Sequence, residues 1–208
     1  MTNRRALIVF VKNAKLGHAK TRLAASIGDQ AAFDLYLHLM KITERATQAV
    51  QDTDLLIYFS SELSNDWWSN ESCFVQTGND LGERMQNAFE DAFKMGYDQV
   101  IGVGSDLPDL NEHVIHQAFD ELNEHDAVFG PSDDGGYYLI GMCKLQRSFF
   151  EDKSWSTESL MDETRAAMDA DELEWAELPI LNDIDTIEDL KQSSIANELL
   201  ALIAESKS

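Results

Sequence analysis

The chain has 208 residues, 44% of them apolar and 26% charged, and a formal net charge of −22. That length fits a full hydrophobic core, no stretch approaches the roughly 20 apolar residues of a membrane span, and such acidity argues against a basic surface for nucleic acid. The apolar run at residues 6–11 is short and lacks a cleavage site, and Cys73 and Cys143 form no CxxC pair. The chain therefore reads as a soluble cytoplasmic protein with reduced thiols.

Charge is unevenly spread. No Asp or Glu precedes Asp29, whereas Arg4, Arg5, Lys12, Lys15, Lys20 and Arg22 all do. A cationic segment in an acidic chain is either reserved for an anion or a basic surface loop without a partner.

In chain order, residues 6–11 are a continuous apolar, β-branched run, as expected of a strand buried on both faces of a mostly parallel sheet. A loop rich in Lys, Gly and His follows. A helical period then runs over about 29–50 through Phe33, Tyr36, Leu37 and Met40. Strands are predicted at 54–59 and 73–76, separated by a polar loop that contains Trp67 and Trp68, and a helix at 81–95. A fourth strand, 99–103, a helix at 111–123, strands at 127–129 and 137–142, a helix at 157–168, a strand at 175–181 and two closing helical stretches complete the pattern.

Alternation of strands and helices predicts an α/β fold with a mainly parallel sheet. No linker or repeat divides it, so residues 1–208 read as a single domain. Ligands of such sheets bind beyond the carboxyl ends of the strands, which singles out the loops at 12–22, 104–109, 130–136 and 182–186.

The first loop carries Lys12, Lys15, Lys20 and Arg22 around Gly17, which permits a tight backbone path. Lysine is a point charge for phosphate and arginine a fork for two oxygens. The loop matches neither G-x-x-x-x-G-K-[ST] nor GxGxxG. In the second loop, Asp106 stands just beyond a strand, where a carboxylate reaches a metal that also touches phosphate, while Asp109 is placed to cap the next helix. The third loop, with Asp133, Asp134, Gly135 and Gly136, is either a hairpin turn or a place where the two glycines admit a substrate to the backbone. In the fourth, Thr186 and Asp189 form a capping box. That leaves Asp183 and Asp185 as a second carboxylate for the metal, unless Asp185 is itself the cap.

Five stretches resemble, in this order, the DUF2064 family of bacterial proteins, often labelled glycosyltransferases. They are FVKNAKLGHAKTRL at 10–23, DLGERM at 80–85, GSDLPDL at 104–110, GPSDDGGYYLIG at 130–141 and DIDTIEDL at 183–190. The family usually has proline where Ala14 stands. The resemblance implies a GT-A-like (nucleotide-diphospho-sugar transferase) three-layer sandwich with a mixed, mainly parallel sheet. It also implies that Lys20 and Arg22 hold nucleotide phosphates, that Arg84 contacts the nucleotide, and that Asp106 leads the metal ligands for Mg²⁺ or Mn²⁺, with Asp134 and Asp185 beside it.

The expected activity is metal-dependent transfer from an activated nucleotide to a small-molecule acceptor, with Lys20 and Asp106 carrying the chemistry. Nucleotidyl transfer and glycosyl transfer from a nucleotide sugar both remain open. The Asp-x-Asp common in GT-A glycosyltransferases is absent at the fourth strand, where Leu107 and Pro108 follow Asp106. The alternative is a non-catalytic nucleotide sensor of the same fold.

Overall fold

The computed structural model describes residues 3–205. Its strands are β1 (Arg5–Val11), β2 (Asp54–Phe59), β3 (Ser72–Val75), β4 (Gln99–Gly104), β5 (Ala127–Pro131), β6 (Tyr137–Met142) and β7 (Trp175–Glu177). Its helices are α1 (Thr21–Ile27), α2 (Asp29–Gln48), α3 (Leu81–Lys94), α4 (Glu112–Glu121), α5 (Leu160–Ala170), α6 (Ile187–Gln192) and α7 (Ala196–Glu205), with a 3₁₀ turn at Arg147–Phe149.

The strands form one sheet in the order β3-β2-β1-β4-β6-β5-β7. Every pairing is parallel except those of β6, which runs antiparallel to both neighbours. Successive side chains of a strand face opposite ways, and β1 shows the result. Leu7, Val9 and Val11 join Tyr36, Met40 and Phe119 on one face, while Ala6 and Ile8 join Met85, Phe89 and Met161 on the other. Helices α2 and α4 thus cover one face and α3 and α5 the other, giving three layers.

One topological fact positions the site. Because β6 alone is reversed, its first residue lies at the same edge as the last residues of β1, β4, β5 and β7. All four loops singled out from the sequence therefore emerge on one side of the sheet.

Local differences from the expected elements have identifiable causes. A helix not expected from the sequence, α1, begins at the end of the cationic loop and runs to Ile27, where Gly28, with a φ of 91°, separates it from α2. Strand β7 stops at Glu177, two residues before Pro179, which has no N–H to continue a ladder. Asn111, not Asp109, caps α4: its side chain accepts from the N–H groups of His113 and Val114, while Asp109 accepts from the Ser194 hydroxyl. Asn111 is one residue nearer the helix, where an acceptor meets the free donors of the first turn. Trp68 is fully buried, with Nε1 donating to Thr47, so this part of the polar loop serves packing.

Candidate active site

Lys20 lies near the end of the cationic loop at the N-cap of α1, and its backbone is left-handed, with φ 46° and ψ 51°. That conformation is uncommon for a residue with a Cβ. It accompanies a side chain that is only 5% exposed and turned inward, with Nζ 2.7 Å from Asp106 Oδ2, 3.0 Å from Asp185 Oδ1 and 3.7 Å from Asp183 Oδ2. Burial opposes the ammonium charge, but Asp106, Asp185 and Asp183 outweigh it and hold Lys20 above its usual range. One cation thus joins the second and fourth loops to the first.

Neighbouring contacts fix this arrangement. Asn13 ties the loop to the end of β2 by accepting from Ser60 and Ser61 and donating to the Glu62 carbonyl. Tyr36 on α2 donates to the Lys12 carbonyl at 2.8 Å and shares a hydrogen bond with Ser105, next to Asp106. Burial pushes the Tyr36 phenol up to about 12.

The third and fourth loops are fastened to each other. Asn182 donates to the Asp133 carboxylate at 2.8 Å and accepts from the Asp133 N–H at 2.9 Å. Tyr138 lies over Gly130, where a Cβ would stand 2.3 Å from the ring, and its hydroxyl donates to the Pro179 carbonyl. Thr186 and Asp189 complete the expected capping box at α6. Asp185 is therefore released from capping and pairs with Lys20 and Arg22. Burial works against its carboxylate, but Lys20, Arg22 and Lys12 prevail and hold it below the usual range.

Two cavities meet at Asp106. The first, about 240 Å³, is a cationic cleft lined by Lys12, Ala19, Lys20, Thr21, Arg22, Tyr36, Asp106 and Asp185. The second, about 270 Å³, lies toward α3 and α5 and has apolar walls that include Phe10, Met85, Tyr137 and Trp155.

This geometry can be set beside known proteins. The family model for an uncharacterized protein conserved in bacteria (DUF2064) matches residues 36–157, more than half of the chain. The chain belongs to the DUF2064 family. A solved relative from Desulfovibrio desulfuricans G20, provisionally named a nucleotide-diphospho-sugar transferase, is 30% identical to this DUF2064 chain, with 99% of each covered and a TM-score of 0.86. A cytidylyltransferase from Leptospira borgpetersenii serovar Hardjo-bovis (strain JB197) shares the fold at 16% identity and TM-score 0.56, covering 99% of this chain and 96% of that one. A 2-phospho-L-lactate guanylyltransferase from Methanocaldococcus vulcanius is 23% identical over 140 residues, a match that takes in 64% of this chain and 60% of that relative's length. The DUF2064 chain thus has the nucleotide-diphospho-sugar transferase fold, among relatives that handle nucleotides.

Of the residues singled out from the sequence of this DUF2064 member, Lys12, Lys20, Arg22, Asp106 and Asp185 converge on the cationic cleft. Asp134 and Gly136 line the apolar cavity instead. Asp134 also shapes its own loop, accepting from the Ser132 hydroxyl and the Gly136 N–H. Gly17, at φ 77°, serves the turn of the first loop and is not among the cleft-lining residues. Gly135 is needed for a different reason from the expected one. At φ 83°, a Cβ there would stand 2.1 Å from the Glu158 carbonyl oxygen, so the chain's own backbone makes the close approach. Arg84 lines neither cavity and donates through Nε to the Gly78 carbonyl. Its motif contributes differently: Leu81 and Met85 line the apolar cavity, and Gly82 seats Trp155, whose Nε1 lies 2.5 Å from where a Cβ would be.

Sequence reasoning did not place Tyr36, Trp155 or Leu160 at the site. Each falls within a helical pattern or at the start of one and carries a core-type side chain, so no sequence signal set it apart.

Among the described residues, no group of three or more His, Cys, Asp or Glu side chains is arranged to hold a metal ion. The donor chemistry nonetheless suits a hard cation that takes one or two carboxylates and completes its shell with phosphate and water. Oxygens of Asp106 and Asp183 converge on one point, the Lys20 ammonium. Burial, with Asp106, Asp185 and Asp134 nearby, pushes the Asp183 carboxyl up to about 6 despite Lys20, so its charge is incompletely balanced.

Proposed function

We propose that this chain is a transferase that uses an activated nucleotide and binds the donor's phosphates in the cationic cleft. The observation that supports this reading is the 2.7 Å pair of Lys20 and Asp106, a cation of the kind that suits phosphate beside a carboxylate of the kind that suits a metal. Lys12, Lys20 and Arg22 would contact phosphate oxygens, Arg22 as the exposed fork at the rim. Asp106, with Asp183 beside it, would hold Mg²⁺ or Mn²⁺. When bound, that ion supplies charge neutralisation at the phosphate oxygens.

The chemistry asked of the protein is electrostatic. Negative charge grows on the departing phosphate, and fixed cations stabilise it without reorganising. Attack by an acceptor oxygen on the α-phosphorus breaks the bond to the β-phosphate oxygen and releases pyrophosphate. Attack on the anomeric carbon of a nucleotide sugar releases a nucleoside diphosphate instead. In both reactions the acceptor oxygen loses its proton to solvent or to a nearby carboxylate.

Incubation of the protein and Mg²⁺ with a panel of nucleoside triphosphates and nucleotide sugars tests this reading. Pyrophosphate or nucleoside diphosphate release that requires an acceptor supports it and tells the two transfers apart. Lys20→Ala and Asp106→Ala are expected to abolish turnover and remain folded, and full activity in either would sink the assignment. Tight, metal-dependent nucleotide binding with no product over hours would instead identify a non-catalytic nucleotide sensor.

A further inference from the structure

The two cavities differ in charge while sharing Asp106. Lysine and arginine side chains line only the cleft. Among the described residues no Lys, Arg or His lines the apolar cavity, whose acidic side chains are Asp106, Asp134 and Asp183. A phosphate there would meet carboxylates with no Lys or Arg on the cavity's own wall to neutralise it, and Lys20, on the cleft side, is already engaged by Asp106, Asp183 and Asp185. The rest of the wall is suited to a ring. Phe10, Met85, Tyr137, Trp155 and Leu160 offer apolar or aromatic surface, and Ser132, Ser156 and Thr157 offer hydroxyls.

The aromatic wall is built, not incidental. Trp155 meets Tyr137 edge-on at 6.4 Å, and Tyr137 meets Phe129 edge-on at 5.4 Å. The Trp155 indole fits against α3 only because residue 82 has no side chain. On the other side, the 156–160 segment is drawn against the third loop by the close approach of Glu158 to Gly135 and by the Met161 N–H, which donates to the Gly135 carbonyl at 2.8 Å.

We infer that this cavity binds the acceptor, and that the acceptor is an uncharged, ring-bearing alcohol, not a phosphorylated one. The inference rests on the transferase reading, since it takes the cationic cleft as the donor's place. It adds the chemical class of the second substrate and assigns Trp155 as the residue that selects it. The polar rim of serine, threonine and carboxylate side chains suits hydroxyl groups of such a molecule, which donate to carboxylates. The surface shared at Asp106 brings those hydroxyls next to the donor's phosphates.

The test is equilibrium binding to the whole protein with Mg²⁺ present, using three probes: neutral aryl β-glycosides, aryl phosphates carrying the same rings, and inorganic pyrophosphate. Neutral glycosides are expected to bind at least tenfold tighter than the matched phosphates. Trp155→Ala is expected to weaken the glycosides at least tenfold and to leave pyrophosphate within twofold. Thr157→Lys puts a cation on the wall from an exposed position, gives up the Thr157 hydroxyl's bond to the Ser154 carbonyl, and is expected to reverse the preference toward aryl phosphate. Phosphates that bind as well as their neutral counterparts, no neutral binder at all, or Trp155→Ala and Thr157→Lys proteins with unchanged selectivity would each overturn the inference. If pyrophosphate binds and these selectivities fail, the acceptor assignment alone falls. If pyrophosphate does not bind with Mg²⁺, the transferase reading falls first.

Discussion

Lys20 and Asp106, from the first and second loops, form the 2.7 Å ion pair at the point where the two cavities join. The lysine ammonium thereby stands among carboxylates that would otherwise attract a divalent ion. Replacement of Lys20 by Met leaves Asp106, Asp183 and Asp185 facing one another without their central cation. Partial solvent access softens the penalty of stranding buried charge, so unfolding free energy is expected to fall by about 1–3 kcal/mol. The check is thermal melting with and without Mg²⁺. The Lys20→Met protein is expected to melt lower in chelator and to gain more from Mg²⁺ than the parent does, because the ion no longer competes with the ammonium. Equal Mg²⁺ responses would show that lysine and metal do not share the place.

Asp183 gives a pH signature. Its carboxyl is pushed from an ordinary 3.8 up to about 6, first by burial and then by the neighbouring carboxylates. A raised carboxyl binds its proton more tightly when folded, so its contribution to stability is fully present below about 3.8 and is lost as pH rises through about 6. Asp183→Asn is expected to remove that loss. In chelator, its melting temperature should exceed that of the parent above pH 6, with the difference closing toward pH 4. A difference independent of pH would place the cause elsewhere.

The main architecture was legible because its signals are periodic. The β1 run and the alternating helices announced a parallel sheet, and the rule for strand ends then marked four loops that do share one edge. Two kinds of information were hidden. Asp183 and Asp185 have the same spacing to any reader of the sequence, and only the fold shows that Arg22 takes Asp185 while Asp183 stays under-balanced beside Asp106. Gly135 looked like a place for a ligand, yet it accommodates Glu158, and Gly82, which nothing in the sequence set apart, seats Trp155. A contact between distant segments leaves no local pattern, and for the same reason nothing marked Trp155 as a cavity wall.

Gly82→Ala isolates the seat of Trp155. Alanine favours a helix over glycine by about 1 kcal/mol, which alone would stabilise α3. The new methyl would lie 2.5 Å from Trp155 Nε1 and 2.6 Å from the Phe150 carbonyl oxygen, and the latter belongs to backbone that yields little. Overpacking of this kind costs about 1–3 kcal/mol, so net destabilisation is expected, with a shift in tryptophan emission as the indole is displaced. An unchanged spectrum together with higher stability would show that the indole moves aside freely.

Thr186→Ala tests whether the α6 cap holds the carboxylates in place. Loss of an N-cap hydroxyl costs about 1 kcal/mol. At this chain length that lowers the melting temperature by about 2–4 °C. Since Asp185 donates its N–H to the capping Asp189, pyrophosphate affinity is expected to fall along with stability. Full retention of pyrophosphate binding in Thr186→Ala would mean that the loop is ordered by Asn182 and Lys20 without help from the helix.

Lys20 and Arg22 pair with Asp106, Asp183 and Asp185, and Lys12 lines the same cleft, so three basic side chains stand against three acidic ones on a chain whose total is −22. The entrance is therefore close to neutral, while the surrounding surface repels any polyphosphate that approaches. Steering, which ordinarily speeds the capture of an oppositely charged ligand and fades in brine, works in reverse here. Moderate ionic strength should accelerate the encounter with a nucleotide, so donor capture would be slowest in the most dilute buffers.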